Sequence, residues 1–127
     1  MKIEHVCINA IDIERMKDFY CRLFSFVPNE KYHNDKTGWE NYFLSTDSGA
    51  RLELLSKKGM PLQKKERDSS GFVHIAISLG SKEEVDKTIK KAEEEGCEIL
   101  SLGRVTGDGY YEASFLDIEG NMVEITI

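Results

Sequence analysis

Two short stretches, residues 3–9 and 71–79, each place one histidine among alternating apolar side chains, and this repetition is the strongest constraint on the fold. Side chains of a β-strand point to opposite faces in turn, so such alternation predicts a strand with one apolar face. In the second stretch Val73 and Ile75 share the apolar face, and His74 lies on the other. The sequence predicts that this strand is buried and that its histidine faces away from the most apolar layer.

The repetition continues beyond the histidines. His5 and His74 are separated by 69 positions, and Glu53 corresponds to Glu124 at an offset of 71. Each half predicts the order strand, helix, and two or three further strands. In both halves the histidine lies in the first strand and the glutamate in the last, each on the face opposite the apolar layer. The sequence therefore predicts two copies of one structural module.

Cap residues mark the start of both predicted helices. Asp12 is a suitable N-cap for the first helix, whose apolar residues recur with the helical period. Those residues are Met16, Phe19, Tyr20, Leu23 and Phe24. Ser81 and Glu84 form a capping box for the second helix, which is predicted to end at Gly96. The remaining predictions are strands at 39–45, 50–56, 97–102, 110–116 and 122–127, with loops at 31–38 and 103–109.

Residues 57–70 lack periodicity and are predicted to link the two modules, which span about 1–56 and 71–127 of a single 127-residue domain. A chain of this length can bury a core without disulfides. The linker is basic and contains Lys57, Lys58, Lys64, Lys65 and Arg67. Such a run is most often a solvated surface segment, and contact with an anionic ligand is the alternative.

The composition argues against two classes of partner, nucleic acids and membranes. The net charge of -6 argues against a nucleic-acid partner, because binding to phosphates depends on clustered Lys and Arg. No apolar run approaches the roughly 20 residues that span a bilayer, so no membrane partner is expected. The cysteines Cys7, Cys21 and Cys97 have no metal-type spacing. They predict reduced thiols and a cytoplasmic protein.

Two histidines and two glutamates on matching strands predict one bound cation. A carboxylate within an apolar strand is costly unless it is paired or bound to a cation. Two imidazoles and two carboxylates suit Zn, Ni, Co, Mn or Fe(II) and leave one or two positions for water or substrate. Taken singly, a strand histidine is usually only hydrogen-bonded to a neighbour, and a strand glutamate usually faces solvent. Cys7, on the same face as His5, either lines the pocket or is the small buried filler that we favour.

These features together resemble the vicinal oxygen chelate superfamily, which includes glyoxalase I, extradiol dioxygenases, fosfomycin-resistance enzymes, methylmalonyl-CoA epimerase and bleomycin-resistance proteins. The matching parts are His5 in the first strand, Phe19-Tyr20 in the first helix, Glu53, the strand at 73–76, and the turn at 117–121 that leads to Glu124. The resemblance covers the whole chain. It implies an α+β fold in which two tandem βαβββ modules form a curved mixed sheet around a metal site, with the helices on the outer face.

The carboxylate at Glu53 makes the chain most similar to glyoxalase I, or lactoylglutathione lyase, which isomerises the hemithioacetal of methylglyoxal and a thiol. The resemblance implies one divalent metal, most typically Ni, Zn or Co, with Mn or Fe as options, held by His5, Glu53, His74 and Glu124. It also implies that Glu124 is the base acting on a metal-bound enediolate, with Glu53 as its counterpart. The alternatives are an Fe(II) extradiol-type dioxygenase, an epimerase, a fosfomycin-type thiol transferase, or a non-catalytic antibiotic-binding dimer.

The thiol co-substrate is where the sequence departs from that family. Glutathione-dependent glyoxalases typically have arginine four residues after the first histidine and asparagine four residues after the first carboxylate. Here those positions hold Asn9 and Lys57. With Arg51, which shares a strand face with Glu53, they are the candidate substrate-binding residues. Family members commonly dimerise, so a homodimer is expected, with the metal site either within one chain or shared between two.

Overall fold

The computed structural model describes residues 1–63, 66 and 68–127, which divide into two compact units, Met1–Gln63 and Lys64–Ile127. Three residues of the basic segment, at positions 64, 65 and 67, lie outside this description. Each unit contains one helix and one mixed β-sheet. Within the described residues, neither helix is long and apolar enough to cross a membrane.

The first unit forms its sheet from parallel and antiparallel neighbours. Its elements are β1 (His5–Asn9), α1 (Ile13–Phe24), β2 (Val27–Pro28), β3 (Tyr32–His33), β4 (Trp39–Ser45) and β5 (Arg51–Lys57). The strand order is β1-β5-β4-β2, and β3 also pairs with β4. β1 is parallel to β5, and the other pairs are antiparallel. Parallel pairing brings the first and last strands of the module side by side.

Helix α1 begins and ends as its sequence dictates. The side chain of Asp12 accepts a hydrogen bond from the Arg15 amide at 3.0 Å, which confirms the predicted N-cap. The helix ends at Phe24, where Ser25 adopts a left-handed conformation with φ of 58°. The buried side of the helix packs on β4 and β5 and consists of Ile13, Met16, Phe19, Tyr20 and Leu23. This core lies on one side of the sheet, and the β4 and β5 side chains of the opposite face are mostly half-buried.

The second unit repeats the plan. Its elements are β6 (His74–Ser78), α2 (Lys82–Glu94), β7 (Ile99–Val105), β8 (Tyr111–Leu116) and β9 (Met122–Thr126). The strand order is β6-β9-β8-β7, with β6 parallel to β9. Ser81 caps α2 by accepting from the Glu84 amide at 3.2 Å. The carboxylate of Glu84 contacts Lys87 Nζ at 3.3 Å, a contact that the predicted capping box did not include.

The two units also share their strand register. The matched Cα partners are His5–Arg51 and Cys7–Glu53 in the first unit and His74–Met122 and Ala76–Glu124 in the second. The same positions therefore meet in both sheets, including the positions of the two histidine and glutamate pairs. The predicted α+β fold of two tandem βαβββ modules is confirmed.

The prediction that the second histidine strand is buried was wrong. β6 begins only at His74, and its residues alternate between exposed and half-buried. Phe72, expected inside this strand, precedes it and is fully exposed. In the described part of the chain β6 pairs with β9 alone, so one side of its backbone carries no neighbouring strand. A single neighbour covers less of each side chain than two would.

Two predicted loops contain strand. Tyr32–His33 forms β3 within the expected loop at 31–38, and β7 continues through the expected loop at 103–109 as far as Val105. Gly103 lies inside β7, and only glycine fits there without movement of its neighbours. A Cβ at this position would overlap the Tyr111 hydroxyl and lie 2.6 Å from Asp86 Oδ1. The glycine therefore marks a close approach between β7, β8 and α2, at the position where the sequence predicts the start of a loop.

Candidate metal centre

The first histidine–glutamate pair lies on the face of the first sheet that is opposite α1. His5 comes from β1 and Glu53 from its parallel neighbour β5, while Leu52 and Leu54 point into the core. His5 Nε2 lies 3.6 Å from Glu53 Oε2. Two donors bound to one tetrahedral cation at about 2.0–2.2 Å are roughly 3.4 Å apart. The pair can therefore bind a cation through one nitrogen and one oxygen after little movement.

The second pair has the same geometry. His74 of β6 and Glu124 of β9 lie on the face opposite the buried Val123 and Ile125. The distance from His74 Nε2 to Glu124 Oε2 is again 3.6 Å. The shared strand register produces this agreement, because it sets the histidine and the glutamate on adjacent parallel strands in both units. Each unit thus supplies one nitrogen and one oxygen donor.

The chemistry of the two pairs fits a divalent transition metal better than Ca²⁺ or Mg²⁺. Imidazole nitrogen suits Zn, Ni, Cu or Fe, whereas Ca²⁺ and Mg²⁺ prefer oxygen-only shells. Among residues 1–63, 66 and 68–127 no group of three or more His, Cys, Asp or Glu side chains is close enough to hold a metal ion. The structure therefore places the predicted ligands in two pairs, and the set of four remains a prediction.

Glu4 fixes the proton of His5. Its Oε2 lies 2.5 Å from His5 Nδ1, and an ionised carboxylate only accepts hydrogen bonds. In the neutral imidazole Nδ1 therefore carries the proton, and Nε2, which lies 3.6 Å from Glu53 Oε2, carries the lone pair. Arg51 donates to Glu4 Oε1 from Nε at 2.8 Å and approaches it with Nη2 at 2.6 Å. The hydrogen bond with His5, assisted by Arg51, holds the pKa of Glu4 below its usual value.

Asn41 and Cys7 hold Glu53. Asn41 Nδ2 donates to Glu53 Oε1 at 2.7 Å, which leaves Oε2 as the oxygen that faces His5. The Cys7 thiol also hydrogen-bonds Glu53, and its partial removal from water, together with this carboxylate, raises the pKa of Cys7 to about 12. Cys7 is exposed on the site face, so the prediction of a small buried filler was wrong. It lines the face that carries the pair.

The sequence analysis did not identify Glu4 or Asn41. Asn41 belongs to β4, where alternate residues share the face of Glu53, and Phe43 is the direct partner of Glu53. The strand alternation could have revealed Asn41 once β4 was paired with β5. No pattern pointed to Glu4, because it precedes β1 and its role depends on Arg51 of a neighbouring strand.

The three candidate substrate-binding residues have different surroundings. Asn9 is exposed at the end of β1, on the face of His5. Arg51 is engaged by Glu4, and its guanidinium also lies over the Phe43 ring at 4.1 Å from the centroid. Lys57 is exposed at the end of β5. Its Nζ lies 5.7 Å from the centroid of the Trp39 ring, so cation and aromatic side chain form one patch.

A family model for the glyoxalase/bleomycin resistance protein/dioxygenase superfamily matches residues 2–125, nearly the whole chain. The chain belongs to that superfamily. The two modules, the repeated register and the histidine–glutamate pairs described above are consistent with this membership. The resemblance stated from the sequence is thereby confirmed.

Known relatives and solved structures share this fold with the chain. The chain is 27% identical over 96 residues to the uncharacterized protein YwkD of Bacillus subtilis, covering 76% of this chain and 73% of the relative. It superposes on a glyoxalase I mutant from Zea mays with a TM-score of 0.79 and 23% identity, covering 98% of this chain and 44% of the maize chain. A trypanothione-dependent glyoxalase I of Leishmania major gives a TM-score of 0.77 and 20% identity, covering 99% of this chain and 86% of that chain. The chain spans less than half of the maize protein, and these structural likenesses show the fold alone.

Proposed function

We propose that the protein is a metal-dependent, glyoxalase I-like isomerase that converts the hemithioacetal of methylglyoxal and a thiol into a lactoyl thioester. The proposed ligands of one divalent metal are His5, Glu53, His74 and Glu124. Ni, Zn and Co are the first choices, and Mn and Fe are also compatible with the donor set. The three free cysteines support a reducing, cytoplasmic setting for this reaction.

One observation carries the proposal: Glu53 stands beside its histidine at the same 3.6 Å distance that separates Glu124 from His74. The facial triad of an Fe(II) oxygenase uses two histidines and a single carboxylate. A second carboxylate, oriented by Asn41 toward the imidazole, favours a four-ligand metal of the lyase type. The donor set therefore supports an isomerase over the oxygenase alternative.

The proposed chemistry is a proton transfer between adjacent carbons. A bound metal would supply a Lewis acid for the two neighbouring oxygens of the substrate and so make the hydroxyl-bearing carbon next to the carbonyl more acidic. Glu124 would remove the proton from that carbon and return it to the adjacent carbonyl carbon, while the hydroxyl proton passes to the former carbonyl oxygen, so that the substrate is isomerised with no net gain or loss of atoms. Glu53, held by Asn41, stays in place as a ligand. A positioned base of this kind is worth about 10²- to 10⁴-fold in rate.

The thiol is the less determined part of the substrate. Arg51 is committed to Glu4, which leaves Lys57 as a cation on this strand that could attract a substrate carboxylate. A lysine provides a point charge and lacks the bidentate fork of arginine. The Leishmania protein shows that a glyoxalase I of this fold can depend on trypanothione. We therefore propose weak turnover of the glutathione adduct and better turnover of another thiol adduct.

The decisive experiment combines elemental analysis with a thioester-forming assay. Protein loaded with Ni, Zn or Co is mixed with methylglyoxal and glutathione, cysteine or a sugar-linked cysteinyl thiol, and thioester formation is followed by ultraviolet absorbance. His33→Ala is the matched control, because His33 contacts Glu40 and Asp35 and belongs to neither pair. Activity in wild type and control supports the proposal. Metal binding without activity toward any thiol, or iron with oxygen uptake on catechols, would overturn it.

We also propose that the protein acts as a homodimer. A mixture of His5→Ala and His74→Ala proteins tests whether each metal site is shared between two chains. If the site is shared, subunit exchange restores intact sites to roughly a quarter of the wild-type number, since half of the dimers are mixed and each has one intact site. If the site lies within one chain, the mixture stays inactive. A monomer by light scattering that is fully active would contradict the dimer.

A further inference from the structure

The two histidine–glutamate pairs are alike in geometry but differ in what surrounds them. In the first unit Glu4 holds the imidazole and Asn41 holds the carboxylate. The shared register identifies the corresponding positions of the second unit. Glu4 corresponds to Val73, Cys7 to Ala76, Asn41 to Glu112 and Arg51 to Met122.

None of these replacements can provide the same support. Valine and alanine carry no hydrogen-bonding side chain, methionine carries no charge, and a carboxylate at position 112 cannot donate to Glu124 as the Asn41 amide donates to Glu53. Glu112 instead lies 3.5 Å from Arg104 Nη2. In the described part of the chain, no side chain donates a hydrogen bond to the Glu124 carboxylate. The two units therefore differ in the side chains that hold the histidine and the glutamate in place.

In the first unit Glu4 and Asn41 prepare the two donors for a metal, one by setting the tautomer of the histidine and the other by setting the free oxygen of the carboxylate. A histidine binds a metal through a nitrogen that carries no proton, and a carboxylate on the other ring nitrogen fixes that tautomer and increases the basicity of the ligand. A carboxylate with one oxygen held by an amide has one defined oxygen left for the metal. Glu4 performs the first task on His5, and Asn41 performs the second on Glu53.

We propose that Glu4 and Asn41 are positioning residues that preform the first pair for the metal, with Arg51 holding Glu4 in place. The first pair is the anchored half of the site, and the second pair keeps a carboxylate that is free to change partners. This inference rests on the proposed function, since it assumes that the first pair binds the metal. It concerns residues that never touch the metal themselves.

The first test uses the metal-free protein and no activity. Nitrogen NMR of the histidine side chains, at a pH where they are neutral, reports which ring nitrogen carries the proton. We expect His5 to be held with its proton on Nδ1 in wild type and to lose this preference in Glu4→Ala. Glu4→Gln should lose it too, because Arg51 keeps the single amide oxygen at the Oε1 position and the amide nitrogen, a donor, then faces Nδ1. Glu93→Ala, an exposed glutamate change on α2, is the control and should leave the His5 signals unchanged.

The second test measures Zn²⁺ affinity by competition with a chelator. Removing a residue that supports a ligand typically weakens metal binding by roughly 10- to 100-fold. We expect such losses in Glu4→Ala and Asn41→Ala and none in Glu93→Ala. If wild type binds no Zn²⁺, Ni²⁺ or Co²⁺ at all, the proposed function fails. If wild type binds metal, and Glu4→Ala and Asn41→Ala match it in both affinity and His5 tautomer, this inference fails while the proposed function stands.

Discussion

Replacing each site glutamate by glutamine should weaken metal binding unequally, and Asn41 sets the difference. In Glu53→Gln the hydrogen bond from Asn41 Nδ2 requires an acceptor at the present position of Oε1. The glutamine carbonyl oxygen takes that place, so its amide nitrogen faces His5. An amide nitrogen donates hydrogen bonds and has no lone pair for a metal. In Glu124→Gln no donor of the described residues imposes an orientation, so the carbonyl oxygen is free to face the metal.

The size of the difference follows from the Asn41 hydrogen bond. To turn its oxygen toward the metal, Gln at position 53 must give up that bond, which at 2.7 Å is well formed. A neutral hydrogen bond contributes about 0.5–1.5 kcal/mol net, and about 1.4 kcal/mol corresponds to tenfold in binding. We therefore expect Glu53→Gln to bind Zn²⁺ up to about tenfold more weakly than Glu124→Gln. Activity should show the opposite order, because Glu124→Gln also loses the base, at a cost of about 10²- to 10⁴-fold.

The assay is chelator competition for Zn²⁺, followed by turnover with the best thiol at saturating metal. The control is the double variant Asn41→Ala/Glu53→Gln, in which the amide is released from its donor. We expect the Zn²⁺ affinity of the double variant to fall by less than the sum of the losses in Asn41→Ala and Glu53→Gln. Without Asn41, the glutamine breaks no hydrogen bond when its oxygen turns to the metal. Equal affinities for the two glutamine variants, together with simple additivity in the double variant, would refute the role given to Asn41.

Three further predictions concern the second unit. His74→Ala should lose both bound metal and isomerase activity in elemental analysis and turnover assays, and unchanged metal content would show that His74 is not a ligand. Gly103→Ala should lower the free energy of unfolding in urea by about 1–3 kcal/mol, because its Cβ would lie 2.8 Å from Tyr111 Cζ. Gly107→Ala, with open space around its Cβ, should leave stability unchanged or raise it by up to about 1 kcal/mol, and equal losses in the two would contradict this reasoning. Burial and nearby acidic groups raise the pKa of Cys97 to about 11 from 9.0, so the protonated thiol stabilises the fold below about pH 9 and this contribution is lost as the pH rises toward 11. At pH 8 its alkylation, mapped by mass spectrometry, should be about 10²-fold slower than in urea-unfolded protein, and equal rates would contradict the shifted pKa.

The module plan could be predicted because local signals and their repetition agree. Asp12 and Ser81 cap the two helices as the sequence indicates. The alternation in β5 and β9 places Leu52 and Val123 in the core and leaves the glutamates on the other face. These features depend on chemistry within a few residues along the chain. The offsets of 69 and 71 then fixed which strands of the two halves correspond.

The features that were not predicted depend on neighbours distant in sequence. The exposure of β6 follows from its having β9 as its one strand neighbour among the described residues, which the apolar composition of residues 71–79 does not reveal. Gly103 is predicted to begin a loop, although it lies inside β7 at a point of close approach to Tyr111 and Asp86. The residues around Glu53 were missed for the same reason, since Asn41 reaches it only across a strand pair. The side chains that hold a site residue in place come from neighbouring strands, so they can be identified only once the strand pairing is known.

The common register of the two sheets has a consequence for how such a protein can change over evolutionary time. Each donor pair is completed by two adjacent strands of one unit, at the same 3.6 Å spacing, without help from the other unit. The residues around the pairs differ between the units, with Glu4 and Asn41 in the first and Val73 and Glu112 in the second. A substitution at such a position changes the surroundings of one pair and leaves the spacing of the other pair unchanged. In this way the support around one pair can change while the other pair keeps its spacing, so that anchoring of the metal and reactivity can evolve separately in the two modules.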